Sequence, residues 1–188
     1  MAVGENGSNG ELQVRIGGYG GQGIVLAGML LGKAASLHEG REAVFTQSYG
    51  PEARGGASNV DVIISDKPID YPLVSNPDIL MVLFQEAYSK FRPAMKPEGT
   101  LIVEKDLVHP EENGTSYWAL PATKMAEELG RRIVTNVVAL GYLVGKTGAV
   151  GREAAEESIR TTVKPKTIEL NLKAFAAGFD RAKQDVPA

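Results

Sequence analysis

Apolar positions along this chain alternate between two spacings, one suited to strands and one to helices. Leu12–Ile16 is a short apolar segment that reads as a strand, and Ile24–Leu37 is apolar on most sides of a helix, as suits a helix packed on a sheet. Ala43–Gln47 reads as a second strand. In Ala57–Ser65, Val60, Val62 and Ile64 alternate with Asn59, Asp61 and Ile63, so one face is apolar and the other mixed. Ile79–Phe84 is a near-continuous apolar run after Asn76-Pro77-Asp78, the pattern of a strand buried on both faces. A helix over Ala87–Met95, the turn Lys96-Pro97-Glu98-Gly99 and a strand over Thr100–Val103 follow. Beyond Pro121 helical spacing takes over, in Thr123–Leu129, Asn136–Lys146, Arg152–Thr162 and Lys166–Lys183. In the last, Ile168, Leu172, Phe175, Ala176 and Phe179 share a face. The alternation predicts an α/β fold, a mainly parallel sheet flanked by helices with a helical C-terminal part. With no repeat and no linker, residues 11–188 are expected to form one domain. Residues 1–10, polar and rich in Gly and Asn, are expected to be a disordered tail rather than a signal peptide.

Between the first strand and first helix lies Gly17-Gly18-Tyr19-Gly20-Gly21-Gln22-Gly23. Gly18, Gly20 and Gly23 satisfy GxGxxG in a strand–turn–helix context. The backbone there can turn tightly, and N–H groups at the helix start can face a phosphate. This makes the expected fold Rossmann-like. A nicotinamide site also needs an acid about 20 residues on, at the end of the next strand, to bind the ribose. Here that strand ends in Gln47-Ser48-Tyr49 and runs into Gly50-Pro51-Glu52-Ala53-Arg54-Gly55-Gly56, so the acid is absent. Two readings follow: a phosphate loop for a ligand other than NAD, or a tight turn alone. The loops after the first two strands should open on the same sheet edge, where ligands of such sheets bind. Arg54 reads either as a bidentate phosphate or carboxylate clamp or as a solvated loop arginine. Tyr49 and Ser48 read as pocket lining or core, and Gln22 as a donor to a ligand oxygen or simply a helix start. Tyr117 and Trp118 read as packing or interface residues.

Composition narrows the chemistry. The chain has 188 residues, no cysteine and a net charge of −3. It therefore cannot hold an iron–sulfur cluster through thiolates or use a cysteine nucleophile, and it offers no basic footprint for nucleic acid. His38 and His109 lack neighbours at metal-ligand spacing, no Ser/His/Asp set or paired carboxylates stand out, and no apolar run reaches membrane-spanning length. The expectation is a cytoplasmic chain with no catalytic residue and no metal site of its own.

The glycine loop, continued by Ile24 and Leu26-Ala27-Gly28, and the block Ser48-Tyr49-Gly50-Pro51-Glu52-Ala53-Arg54-Gly55-Gly56 occur here in order. Pro77-Asp78, Lys96-Pro97-Glu98-Gly99, Asn136 with Ala139-Leu140-Gly141, and Asn171 with Lys173-Ala174-Phe175 follow. From about Gln13 to Gly178 the chain resembles the gamma subunit of the 2-oxoacid:ferredoxin oxidoreductases. These enzymes decarboxylate a 2-oxoacid on thiamine diphosphate, pass electrons through iron–sulfur clusters and release an acyl-CoA. The resemblance implies a subunit of a hetero-oligomer of anaerobic metabolism that is inactive alone. It implies thiamine-binding alpha and beta subunits and an iron–sulfur subunit as partners, which would hold thiamine diphosphate, Mg and 4Fe-4S clusters. Ferredoxin, or NAD through a further subunit, would accept the electrons. It further implies a domain that closes over coenzyme A and touches it with the glycine loop. The residues expected at that ligand are Gly18, Tyr19, Gly20, Gly21, Gln22, Gly23, Tyr49, Arg54, Gly55 and Gly56. The gamma subunit is similar to a domain of relatives whose subunits are fused into one chain; where these carry lysines before the glycine pair, this chain has Glu52-Ala53-Arg54. The alternative is a purely structural scaffold with no ligand, and the residues do not single out one 2-oxoacid.

Overall fold

The computed structural model of the chain describes residues 10–48, 56–111 and 116–187. Tyr49, Arg54 and Gly55 lie outside them, as does the N-terminal stretch through residue 9. Among the described residues six strands form one sheet. They are β1 (Glu11–Tyr19), β2 (Glu42–Ser48), β3 (Ala57–Ser65), β4 (Ile79–Val82), β5 (Thr100–Glu104) and β6 (Trp118–Leu120), in spatial order β2-β3-β1-β4-β5-β6. β1 pairs parallel with β4, β4 with β5 and β5 with β6, whereas β3 runs antiparallel to both β1 and β2. Every strand but β3 therefore points the same way.

Period-two patterning sorts the strand residues onto two cores. Val14 and Ile16 of β1, Val60, Val62 and Ile64 of β3 and Ile102 of β5 face a large helical layer. That layer contains α1 (Ile24–Lys33, continued by a π-helical turn Ala34–His38), α3 (Ala122–Glu128), α4 (Thr135–Thr147), α5 (Arg152–Thr162) and α6 (Ile168–Gln184). The opposite face is covered by α2 (Gln85–Phe91), whose Ala87, Tyr88 and Phe91 pack on Leu80, Val82, Leu101 and Val103. β4, four residues buried on both faces, matches its apolar run. On the α2 side Arg15 grips Asp61 across the β1–β3 ladder at 2.8 and 2.7 Å and donates to the Val74 carbonyl at 2.7 Å, which makes Asp61 a structural group.

α4 and α6 meet backbone to backbone. α4 is buried from Asn136 through Val144, and Phe175 and Ala174 of α6 are fully enclosed. Trp118 packs against the large core, with the Lys146 ammonium 3.6 Å above its ring, and Tyr117 packs on the smaller core. Both residues thus serve packing. β6 has no counterpart in the sequence reading, because three residues are too few to show a period.

Candidate functional site

β1 runs three residues past its expected end. Gly17 and Gly18 stay in the ladder, opposite Asn59 and Ser58 of β3, so they are strand residues and the turn proper is Gly20–Gly23. Pairing on both sides keeps these glycines extended: Gly17 also faces Val82 of β4. Gly18 must remain small, since a Cβ there would lie 2.6 Å from Gln22 Oε1.

Gln22 folds back over the strand end. Its Oε1 accepts the Tyr19 N–H at 2.9 Å, and its Nε2 donates to the Leu83 carbonyl at 2.9 Å. The side chain thereby stitches the end of β1 to the end of β4. These two strands lead in opposite directions, β1 through α1 to the β2 side and β4 through α2 to β5. Their carboxyl ends form the topological switch point, where open α/β sheets hold ligands. Gln22→Ala would leave both backbone groups without their partner, at a cost of about 1–2 kcal/mol. We expect its thermal midpoint to fall by roughly 4 °C, readable by calorimetry on the isolated chain.

Gly23 takes φ 73° as the residue preceding α1, and its carbonyl accepts the Asn136 Nδ2–H at 3.0 Å. Asn136, 3% exposed, thus fixes the start of α4 against the glycine turn. Among the described residues no side chain caps the N-terminus of α1 or α4, and neither first turn holds an acid. α4 continues a 3₁₀ turn, Arg132–Val134, whose Arg132 carbonyl accepts the Thr135 N–H, whereas α1 begins directly at the glycine turn.

A cleft of about 280 Å³ opens at this edge. One wall is Tyr19, Gly21 and Gln22, a second is Leu107 and Thr123, and a third is Arg132, Ile133 and Thr135. Arg132, exposed, is the charged residue among them, and Thr123 and Thr135 supply hydroxyls. Tyr19 packs edge-on against Phe84 at 5.1 Å, and Ile133 is 83% exposed at the rim. Behind the second wall Glu104 ends β5, buried; burial pushes its carboxyl up to about 7.

The second glycine block is rooted on the same edge. Ser48, the last residue of β2, pairs with Asn59, which pairs with Gly17. Gly56 directly precedes Ala57, the partner of Tyr19. The roots lie on the β2–β3 side of the glycine turn and the cleft on its β4–β6 side, so the turn stands between them. Sequence reasoning missed Leu107, Thr123, Arg132 and Thr135. Their signal is topological: they follow the carboxyl ends of β5 and β6, which cannot be placed until the strand order is known.

An α/β domain with a cleft at its switch point, walled by a glycine turn, the segments after β5 and β6 and the start of α4, has the architecture in which open α/β sheets hold their ligands. The chain is a member of the pyruvate ferredoxin/flavodoxin oxidoreductase family, whose pattern matches residues 13–181. It is 51% identical to the 2-oxoglutarate synthase subunit KorC of Methanothermobacter marburgensis, over 88% of this chain and 94% of that one. It is 49% identical to KorC of Methanocaldococcus jannaschii, over 92% and 94%. Among solved structures it matches the gamma subunit of a keto/oxoacid ferredoxin oxidoreductase from Geobacter sulfurreducens. The TM-score is 0.86 at 44% identity, covering 93% of this chain and 98% of that one. The same fold forms part of the 2-oxoglutarate:ferredoxin oxidoreductase of Magnetococcus marinus, solved with 2-oxoglutarate, coenzyme A and succinyl-CoA bound. There the TM-score is 0.84 at 23% identity, over 96% of this chain and 32% of that one. The chain is thus a subunit of a 2-oxoacid oxidoreductase. Among its described residues no helix is long and apolar enough to cross a membrane.

Proposed function

We propose that this subunit holds the diphosphate end of coenzyme A in the cleft at the β1/β4 switch point, and that its complex converts 2-oxoglutarate to succinyl-CoA. The observation that carries the reading is the meeting at one cleft of the glycine turn that leads into α1 and the Arg132–Thr135 segment that starts α4, with the Arg132 guanidinium. The helix starts and the guanidinium bring positive potential, and among the described residues no acid lines the cleft, which is what a diphosphate requires. Relatives named 2-oxoglutarate synthase, at about half identity over nearly the whole chain, support the choice of 2-oxoacid. At 280 Å³ the cleft suits a diphosphate and sugar but not a whole CoA molecule. The rest of the ligand then extends toward a partner subunit, and the site is shared.

When bound, coenzyme A supplies the thiol that receives the acyl group. The residues of this chain bind and orient: the backbone of Gly20–Gly23 meets the phosphates, Arg132 clamps them, and Tyr19, Leu107 and Ile133 exclude water from the rim. Thiamine diphosphate, Mg and the iron–sulfur clusters belong to the thiamine-binding and iron–sulfur subunits in this reading. A chain without cysteine has no thiolates for a cluster.

Gly20→Asp provides the test. A Cβ at Gly20 meets nothing within 4 Å, so the change adds charge at little steric cost. A carboxylate beside the phosphates costs several kcal/mol. In the assembled complex the KM for coenzyme A should rise more than tenfold, while CoA-independent decarboxylation persists. An unchanged KM would return the chain to the role of a scaffold.

A further inference from the structure

Glu104 is a buried acid that nothing in the proposed ligand contacts uses. It ends β5 on the helical face of the sheet, 1% exposed, opposite Leu120 of β6. Its polar atoms reach two different parts of the cleft wall. Oε2 accepts the Thr123 N–H at 3.2 Å, in the first turn of α3. The backbone carbonyl of the same residue accepts the N–H groups of Val108 at 3.0 Å and Leu107 at 3.3 Å. Thr123 and Leu107 both line the cleft. The other carboxyl oxygen, Oε1, is buried and has no hydrogen-bond partner among the described residues.

We propose that Glu104 is a positioning residue that braces the Leu107–Thr123 wall, and that its charge state sets how tightly the cleft holds a diphosphate ligand. The inference rests on the reading of the cleft given above. In the charged state a carboxylate stands directly behind the wall and opposes the phosphates; in the neutral state the wall keeps its shape and the repulsion is gone. Coupling of this kind is reciprocal, so the bound ligand in turn favours the protonated acid.

The surroundings make that switch accessible near neutral pH. Burial pushes the carboxyl up to about 7, the charge of Asp106 pushes the same way, and the N–H groups of Thr123, Ala122 and Asp106 oppose them. Lys105 and His109 lie on the same connection, Lys124 follows Thr123 on α3, and Arg132 stands in the facing wall. Leu120, opposite Glu104 on β6, brings no charge. Below the ordinary carboxyl value of 4.5, folded and unfolded chains are both protonated. As pH rises from there to about 7, the unfolded chain loses its proton while the folded chain keeps it, so stability falls across this window and levels off above it.

Two arms test the proposal with Glu104→Gln, which holds the neutral form at every pH. First, thermal midpoints of the isolated chain are followed from pH 5 to 8. The variant should gain on the wild type with rising pH, by up to about 7 °C. Parallel profiles would show that Glu104 does not titrate there and overturn the proposal. Second, dephospho-CoA, whose diphosphate does not titrate in this range, is bound to the assembled complex without 2-oxoacid, by calorimetry. Wild-type affinity should weaken about fivefold from pH 6 to 8, the lower end of ordinary coupling between sites. The variant should keep its pH 6 affinity throughout. Binding with the same pH profile in both proteins overturns the role of Glu104 and leaves the cleft standing, whereas no binding to either overturns the cleft.

Discussion

Gly178→Ala should lower the thermal midpoint of this chain by roughly 6–12 °C. A Cβ on Gly178 in α6 would lie 1.9 Å from the Val138 carbonyl oxygen and 2.9 Å from the Tyr142 nitrogen, both backbone atoms of α4. Backbone in the middle of a buried helix cannot step aside, so the two helices must part by more than an ångström. The separation loosens the contacts of Phe175 and Tyr142, both fully buried. Overpacking of a core costs about 1–3 kcal/mol and more where nothing yields, and for a domain of this size each kcal/mol moves the midpoint by roughly 2–4 °C. Alanine's better helix propensity, worth about 1 kcal/mol over glycine, works in the other direction and is outweighed. Gly32→Ala is the control. At that helical glycine of α1 the nearest side-chain atom to a new Cβ is 3.8 Å away, an ordinary contact. It should be neutral or stabilising by up to about 1 kcal/mol. Equal effects of the two substitutions would show that chain entropy, and not the close approach of α4 and α6, governs Gly178.

That contact also explains why parts of the fold were legible and parts were not. Long elements with a clear period stand where the sequence puts them: Ala57–Ser65 and Arg152–Thr162 match to the residue. Apolar spacing reports burial directly, and burial decided these elements. The reversed direction of β3 was not legible, because alternation along a strand is the same in either direction and only the pairing partner differs. β6 was too short to register. The extension of β1 through Gly17 and Gly18 contradicts local propensity, since glycine weakens strands. It persists because β3 and β4 hold the segment from both sides.

At the site, sequence located the glycine turn and the edge it occupies, but not the division of labour within it. Gln22 reads equally as a ligand donor or a helix start until Leu83 and Tyr19 are found at its two amide atoms. Asn136, one of the residues that carried the family resemblance, proves to brace the carbonyl of Gly23 from 113 residues away. Pro77-Asp78 and the Lys96–Gly99 turn, two further blocks of that resemblance, are one clamp: Asp78 accepts the Gln13 N–H at 2.8 Å and pairs with Lys96. Such long-range pairs leave no spacing for a sequence to show. Arg132 was missed for the same reason, as one of two adjacent arginines before a helix.

Arg132→Ala is where the ligand reading meets its largest expected effect on function. A guanidinium clamping a diphosphate forms charge-assisted bonds worth about 1.5–3 kcal/mol. Its loss should weaken coenzyme A binding to the complex by roughly 10- to 150-fold. An arginine that only decorates the surface predicts a change within about twofold, since exposed charges contribute little. Arg132 is exposed among the described residues, so removing it should leave the thermal midpoint nearly unmoved, and a binding defect then cannot be blamed on unfolding. Arg132→Lys should fall between the two, because the point charge survives and the planar fork does not. Comparing coenzyme A with dephospho-CoA locates the contact. A clamp on the diphosphate weakens both ligands by the same factor, whereas a clamp on the 3′-phosphate leaves dephospho-CoA untouched. Equal affinities of wild type and Arg132→Ala for both ligands would move the phosphates out of this cleft and toward the roots of the second glycine block at Ser48 and Gly56, on the other side of the turn.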